Sequence, residues 1–137
     1  MSMQITNQAD YALRAMLFIA RLGPGQVAPS HTIADQMDMS RMFLSRINSQ
    51  LSNAGLIATR RGALGGIMLA KDPAEITIYE IVSAIDGPLN LIRCTKDPGC
   101  CSLGEHCPLL DFWYETEVLL MHRLKSTTLA DLVAKSR

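Results

Sequence analysis

The stretch that decides the fold reads Ser40-Arg-Met-Phe-Leu-Ser-Arg-Ile-Asn-Ser-Gln-Leu-Ser-Asn-Ala-Gly55 and continues as Leu56-Ile-Ala-Thr-Arg-Arg-Gly-Ala-Leu-Gly-Gly-Ile-Met-Leu69. Over residues 41–54 the apolar side chains recur at helical spacing, with Ser40 as a favourable N-cap and Gly55 as a favourable stop. The buried stripe of this helix is predicted to comprise Leu44, Ile47, Leu51 and Ala54.

The residues after Gly55 follow an alternating pattern instead of a helical one. In residues 56–61, Leu56, Ala58 and Arg60 alternate with Ile57, Thr59 and Arg61, as expected when successive side chains point to opposite faces of a strand. Residues 62–66 are rich in glycine, and residues 67–69 form a short apolar run. Two extended segments joined by a flexible glycine turn are typical of a hairpin. The sequence therefore predicts a two-stranded β-wing with Arg60 and Arg61 close to its tip.

Two further helices are predicted before the decisive stretch. Residues 6–22 carry a long apolar stripe that stops at Gly23-Pro24-Gly25, and a shorter helix runs from Thr32 to about Asp38, with Ser30 as a possible cap. Only a short turn separates this second helix from the helix that begins after Ser40. Two helices joined in this way indicate a helix-turn-helix.

The second half of the chain is predicted to be helical as well. A capping-box pattern, Thr77-Ile-Tyr-Glu80, opens one helix, Pro108 opens a longer helix over about 109–125, and a cap at Thr128 opens a last short helix. The long helix carries more apolar surface than one small core needs, which favours a dimer seam, and Trp113 is expected in the core. Its apolar positions are Leu109, Leu110, Trp113, Leu120, Met121 and Leu124.

These elements predict a mainly α fold: a winged helix-turn-helix with a two-stranded β-wing plus a long C-terminal dimerisation helix. The chain has 137 residues, about one domain, and a chain of this size gains stability from pairing with a second copy. We expect a winged-helix DNA-binding domain over 1–87, a cysteine-rich loop over 88–108, and a dimerisation helix with the C-terminal helix over 109–137.

Charge is segregated along the chain although the net charge is zero. The 13 Lys and Arg residues balance 13 Asp and Glu residues, yet residues 40–71 contain five basic residues and no acidic one. The start of the second helix of a helix-turn-helix reads base edges in the major groove, and neighbouring cations bind phosphates. A solvated basic surface is the plainer interpretation, but helix, wing and charge occur together here. The predicted DNA-binding residues are Ser40, Arg41, Met42, Ser45, Arg46, Arg60 and Arg61.

Several classes of protein are disfavoured by the same sequence. No apolar run is long enough to span a membrane, and the N-terminus lacks the charged and apolar regions of an export signal. Paired carboxylates, a nucleophile with a histidine base and a phosphate-binding glycine motif are also missing, which argues against an enzyme. We therefore expect a cytoplasmic, non-enzymatic protein without a membrane partner.

All four cysteines fall in one short segment, Cys94-Thr-Lys-Asp-Pro-Gly-Cys100-Cys101-Ser-Leu-Gly-Glu-His-Cys107. Cysteines that serve as small core residues would be scattered along apolar helix faces. Disulfides do not suit a reducing compartment, and zinc sites usually draw on C-x2-C pairs, which this segment lacks. Wide gaps favour an iron–sulfur cluster, while zinc and inert or regulatory thiols remain alternatives.

The chain resembles the bacterial winged-helix regulators of the IscR and NsrR type, the Rrf2 family, over nearly its whole length. The resemblance rests on five segments taken together: Gln4-Ile-Thr-Asn-Gln-Ala-Asp10-Tyr-Ala-Leu-Arg14, Leu51-Ser-Asn-Ala-Gly-Leu56, Arg61-Gly-Ala-Leu-Gly-Gly66, the cysteine segment, and Thr128-Leu-Ala-Asp-Leu-Val133. It implies a homodimer that binds double-stranded operator DNA through recognition helices and wings. It also implies one iron–sulfur cluster in each subunit, which tunes the affinity for DNA.

The resemblance further implies which residues hold the cluster. The family's usual spacing between the last two ligands selects Cys101 and Cys107, with Cys94 as the first ligand and Cys100 as the alternative to Cys101. IscR-like members add a histidine three residues after the last cysteine, where this chain has Leu110. NsrR-like members instead use an aspartate from the partner's first helix, whose position matches Asp10.

The function implied is a transcriptional regulator, most simply a repressor, that senses redox state, nitric oxide or the supply of iron or clusters. A zinc- or thiol-based winged-helix regulator would keep the DNA-binding half and change only the sensor. A small iron–sulfur electron carrier would leave the basic helix and the wing without a purpose.

Overall fold

The computed structural model of the chain describes residues 5–91, Asp97 and residues 107–135. Within this part of the chain the prediction of a mainly α fold with a β-wing is confirmed. The elements in order are α1 (Asn7–Arg21), α2 (Ser30–Gln36), α3 (Arg41–Asn53), β1 (Ile57–Arg60), β2 (Gly66–Leu69), a 3-10 turn (Pro73–Glu75), α4 (Ile78–Asp86), α5 (Pro108–Ser126) and α6 (Leu129–Lys135).

Local capping begins α3 and α4 where the sequence predicts. The Ser40 hydroxyl accepts the backbone N–H of Phe43 at 3.1 Å, and Thr77 and Glu80 form a reciprocal capping box. Burial alone would raise the pKa of Glu80, but the bonds from Lys71 and Thr77 outweigh it and hold that pKa below its ordinary value. Lys71 forms an ion pair with Glu80 at 2.9 Å, which ties the end of the wing to α4.

The predicted bounds of α2 are wrong at both ends. The helix begins at Ser30 with Pro29 as its N-cap, because the Pro29 carbonyl accepts the N–H groups of Thr32 at 3.0 Å and Ile33 at 3.2 Å. Ser30 is therefore the first helical residue rather than the cap. The helix ends at Gln36, since Asp38 lies in the left-handed region with φ 51° and cannot continue it.

The core lies where α1, α2 and α3 meet the inner face of the wing and α4. Its largest fully buried side chains contribute on the order of 1.5–3 kcal/mol each through apolar burial. Ala54, predicted to be buried, is exposed, because it is the C-cap of α3 and the chain turns away at Gly55 with φ 75°. The fully buried residues include Met16, Ile33, Leu44, Ile47, Leu51, Leu56, Ile67, Ile76, Ile81 and Leu129.

The last helix returns to this same core. Leu129 is buried, and its N–H donates to the Ile76 carbonyl at 2.8 Å, so α6 packs beside the 3-10 turn and α1. The long helix α5 packs on α4, where the Lys125 ammonium lies 4.7 Å from the centre of the Tyr79 ring. Within the described residues, no helix is both long enough and apolar enough to cross a membrane.

Candidate nucleic-acid interface

The start of α3 presents a polar and basic face to solvent. Leu44, Ile47 and Leu51 are buried in the core on one side of the helix, so the opposite side faces solvent. The predicted residues at this end are all exposed, and Met42 is 78% exposed despite its apolar side chain. These residues are Ser40, Arg41, Met42, Ser45 and Arg46.

The wing stands opposite this face and encloses a groove with it. In the hairpin Ile57 pairs with Leu69 and Arg60 pairs with Gly66, so Arg60 ends β1 and Arg61 follows it into the turn. Both arginines are exposed. The groove has a volume of about 810 Å³, and its walls include Arg41 and Ser45 from α3 and Arg60 from the wing. The structure thus brings together the two basic segments that the sequence singles out.

Backbone pairing attaches the wing to the residue segment that precedes α2. Ala28, just before α2, exchanges two hydrogen bonds with Ile67 of β2, both of 2.8 Å. A β-carbon on Gly66 would lie closer than 3.0 Å to the Ala28 carbonyl, which is why this close approach needs glycine. The wing is therefore attached to the helix-turn-helix through its backbone and not only through side chains.

The predicted DNA-binding arginines keep their charge available, with Arg41 and Arg60 in the lining of the groove and Arg46 and Arg61 exposed outside that lining. Among the residues that the structure describes, the ion pairs of Asp10 with Arg14 and of Lys71 with Glu80 involve none of these four arginines. A concave surface lined by unpaired cations raises the local concentration of anions such as phosphates. The groove is thus electrostatically suited to a nucleic-acid backbone.

Some groove-lining residues were not among the predicted ones. Asn48, Ser49 and Ser52 lie on the same face of α3 as Arg41 and Ser45, so continuing their helical spacing would have found them. His31 and Thr59 reach the groove from α2 and β1. No local pattern identifies those two residues, because their position depends on how α2 and the wing pack together.

Most of the predicted metal ligands lie outside the described residues. Cys94, Cys100 and Cys101 belong to that part of the chain, whereas Cys107 is half-buried at the N-cap of α5. Within the described ranges, no group of three or more His, Cys, Asp or Glu side chains is placed to hold a metal ion. Asp10 is exposed on the first turn of α1 and forms an ion pair with Arg14 at 3.0 Å.

The described residues that flank the segment 92–106, Leu91 and Cys107, are both connected to α5. Glu117, a buried residue of α5, accepts the backbone N–H of Leu91 at 2.9 Å, just before the segment begins. Cys107 follows the segment, and its carbonyl accepts the Leu110 N–H at 3.0 Å in the first turn of α5. The chain therefore contacts α5 both immediately before and immediately after this segment.

One side of α5 carries four exposed apolar side chains at helical spacing, those of Leu109, Phe112, Leu119 and Leu120. Leu109 and Leu120 lie on this face, and Trp113, predicted in the core, is half-buried with Phe112 edge-on at 5.1 Å. The exposed fractions are 61% for Leu109, 54% for Phe112, 39% for Tyr114, 63% for Val118, 71% for Leu119 and 41% for Leu120. Tyr114 and Val118 lie on another side of the helix, whereas an exposed apolar cluster such as that of Leu109, Phe112, Leu119 and Leu120 is typical of a protein-binding surface.

Comparisons with known proteins agree with this geometry. The model of the Rrf2 family, described as an iron-dependent transcriptional regulator, matches residues 5–135. The HTH-type transcriptional regulator NsrR of Shouchella clausii is 33% identical over 132 residues, covering 96% of this chain and 89% of the relative. The structure of CymR, the global cysteine regulator of B. subtilis, is 27% identical with a TM-score of 0.84, covering 99% of this chain and 100% of that one. The IscR structure from T. potens, 24% identical with a TM-score of 0.75 over 98% of this chain and 88% of that one, shares the fold.

Proposed function

The chain belongs to the Rrf2 family of transcriptional regulators, and from this premise we propose that it is a homodimeric repressor whose affinity for operator DNA is switched by an iron–sulfur cluster. Members of this family are DNA-binding regulators and not enzymes. One observation carries the proposal: the basic face of α3 and the basic wing converge on a single groove. Action on DNA also agrees with a cytoplasmic location.

In the proposed complex, α3 enters the major groove of the operator. Arg41, Ser45 and Arg46 would face base edges and phosphates, with Ser40 and Met42 beside them at the start of the helix. Met42 offers an apolar contact for a thymine methyl group. From the wing, Arg60 and Arg61 would reach the flanking phosphates or the adjacent minor groove, whose negative potential attracts arginine.

The second subunit is proposed to pack on the exposed face of α5. The apolar side chains of this face are costly to leave in water, and a two-fold axis through α5 would bury the same patch on both chains. The division into a DNA-binding domain over 1–87, a cysteine-rich loop over 88–108 and a dimerisation region over 109–137 stays a proposal. In that division α6 shares the core of the first domain through Leu129.

The cluster is proposed to be held by Cys94, Cys101 and Cys107, with Cys100 as the alternative to Cys101. Four cysteines in one short segment supply the thiolates that iron–sulfur clusters require, and Cys107 is half-buried at the N-cap of α5. Asp10 of the partner subunit would be the fourth ligand. A bound cluster would supply iron that reacts with nitric oxide or oxygen. The iron bound by the Asp10 carboxylate would be the most reactive, because a carboxylate is a more labile ligand of iron than a thiolate.

The residues of this chain give that sensor a route to the DNA-binding surface. The residues that flank 92–106 both contact α5, Leu91 through Glu117 and Cys107 as the N-cap, and α5 packs on α4 of the winged-helix core. Reshaping the segment would shift α5, and with it the spacing of the two groove surfaces in the dimer. Coupling between a ligand and a distant site typically amounts to about 1–3 kcal/mol, or roughly 5- to 150-fold in affinity.

The test begins with a DNA target. Wild-type protein, purified without oxygen, is used to select tight-binding sequences from a random library of DNA duplexes, and the most enriched sequence is called the selected duplex. Its affinity is then measured for the cluster-loaded protein, for the protein stripped of iron, and for Cys107→Ser, at one salt concentration. We expect the loaded form to differ from the other two by roughly 5- to 150-fold. Equal affinities would refute the switch while leaving DNA binding intact.

A second candidate keeps the DNA-binding groove and replaces the cluster by thiol or zinc chemistry. It is favoured by the high structural similarity to CymR, which is named a global cysteine regulator, and by the adjacent Cys100 and Cys101. Metal analysis of the protein purified without oxygen separates the candidates. Iron with matching sulfide supports the cluster, zinc supports a zinc site, and metal-free protein that responds to oxidants supports a thiol sensor.

A further inference from the structure

Leu64, at the tip of the wing, is the most exposed large apolar side chain in the described part of the protein, at 91%. Its neighbours Ala63 and Gly65 both line the groove between α3 and the wing, whereas Leu64 does not. The Leu64 side chain therefore extends beyond the rim of the groove and away from the core. Within the free subunit, burial cannot account for a leucine at this position.

A backbone hydrogen bond and two glycines shape the turn that carries Leu64. The Gly65 N–H donates to the Gly62 carbonyl at 3.0 Å, which closes a four-residue turn with Leu64 at its third position. Gly62 has φ 105°, and a β-carbon on Gly65 would lie closer than 3.0 Å to the Arg60 carbonyl. The apolar tip is thus presented by a backbone that needs little ordering when it meets a partner.

The chemistry around Leu64 indicates what that partner is. Arg60 and Arg61, on the same hairpin, are exposed and make no ion pair within the described residues. Arginines are attracted by a narrow minor groove, and proteins that bind there frequently insert apolar side chains between base steps. A partner protein recognised by Leu64 alone would not require two cations at the same tip.

We propose that Leu64 is a wedge that the wing inserts between two base pairs in the minor groove of the operator, so that it partly unstacks and bends the DNA there. Pyrimidine–purine steps open most easily, so Leu64 would make the protein prefer such a step at the wing position, without a hydrogen bond to any base. This inference rests on the DNA binding proposed above and adds a residue that determines specificity.

The test uses the selected duplex with 2-aminopurine replacing adenine at each pyrimidine–purine step in turn. Wild-type protein should raise the fluorescence of the probe at the wing step, because unstacking relieves its quenching. Leu64→Ala should lose this increase and bind about tenfold more weakly, because the wedge no longer buries apolar surface. Leu64→Met should retain the increase. Leu22→Ala, the same kind of truncation at an exposed leucine that ends α1, should behave as wild type.

Two results would overturn the wedge. The first is that Leu64→Ala binds the selected duplex as tightly as wild type with the same fluorescence. The second is that it binds more weakly while the fluorescence increase persists, which would make Leu64 a surface contact only. If the library yields no enriched duplex at all, the proposed DNA binding itself fails. That failure is seen before any variant is made, so the two cases are distinguishable.

Discussion

Replacing Gly66 by alanine should displace the wing without unfolding the protein. The new β-carbon would lie closer than 3.0 Å to the Ala28 carbonyl oxygen, which is backbone and cannot move aside as a flexible side chain would. The strain is relieved only if β2 separates from Ala28. That separation breaks the two hydrogen bonds of 2.8 Å between Ala28 and Ile67.

The size of the effect follows from those two bonds. A backbone hydrogen bond contributes about 0.5–1.5 kcal/mol net, so Gly66→Ala should lower the free energy of unfolding by about 1–3 kcal/mol. Gly25→Ala is the matched control, because Gly25 has φ 71° with nothing within 4 Å of a β-carbon. Its cost is purely conformational, about 1–2 kcal/mol. The two variants should therefore be similarly destabilised, although only one of them alters the wing.

DNA binding distinguishes the two variants. Fluorescence anisotropy with the selected duplex should show Gly25→Ala binding as wild type does. For Gly66→Ala we expect affinity at least tenfold weaker and a salt dependence reduced by about two phosphate contacts, because Arg60 and Arg61 are displaced together. Urea unfolding verifies that both proteins are folded during the assay. Equal DNA affinity of the two variants would refute the role given to the Ala28 pairing.

Three further predictions address the wing, the sensor segment and the dimer. Arg61→Ala should weaken DNA binding and make the slope of log affinity against log salt concentration shallower by about one. An altered sequence preference with an unchanged slope would contradict a phosphate contact. Glu117→Ala should cost about 1–3 kcal/mol in urea unfolding, because the Leu91 N–H loses its acceptor, whereas Glu117→Gln keeps an oxygen there and should recover most of the loss. Equal midpoints for the two Glu117 variants would argue against the tether. Leu119→Glu should be a monomer in sedimentation velocity, because it places a charge in the proposed dimer interface on α5. Leu22→Glu, outside that interface, should remain dimeric. A dimeric Leu119→Glu protein would exclude the exposed side of α5 as the dimer interface.

Features that depend on neighbours along the chain could be predicted from the sequence. Ser40 caps α3 and Thr77 pairs with Glu80 because both interactions span three residues, a distance that a motif records directly. Even there, the predicted start of α2 was wrong, because the Pro29 carbonyl accepts the first N–H groups of the helix and Ser30 is its first residue. The metal ligands Cys94, Cys100, Cys101, Cys107 and Asp10 stay predictions that rest on the resemblance and on chemical type.

The sequence by itself determined the helices, the wing and the basic residues, since helical period, caps and charge are local properties of the chain. Only the tertiary structure decided that Arg41 of α3 and Arg60 of the wing line one groove. Ala28 pairs with Ile67, and Glu117 holds Leu91 from 26 residues away along the chain. No spacing rule encodes such contacts, because each arises from the way the apolar faces of α1, α3 and α4 pack around one core.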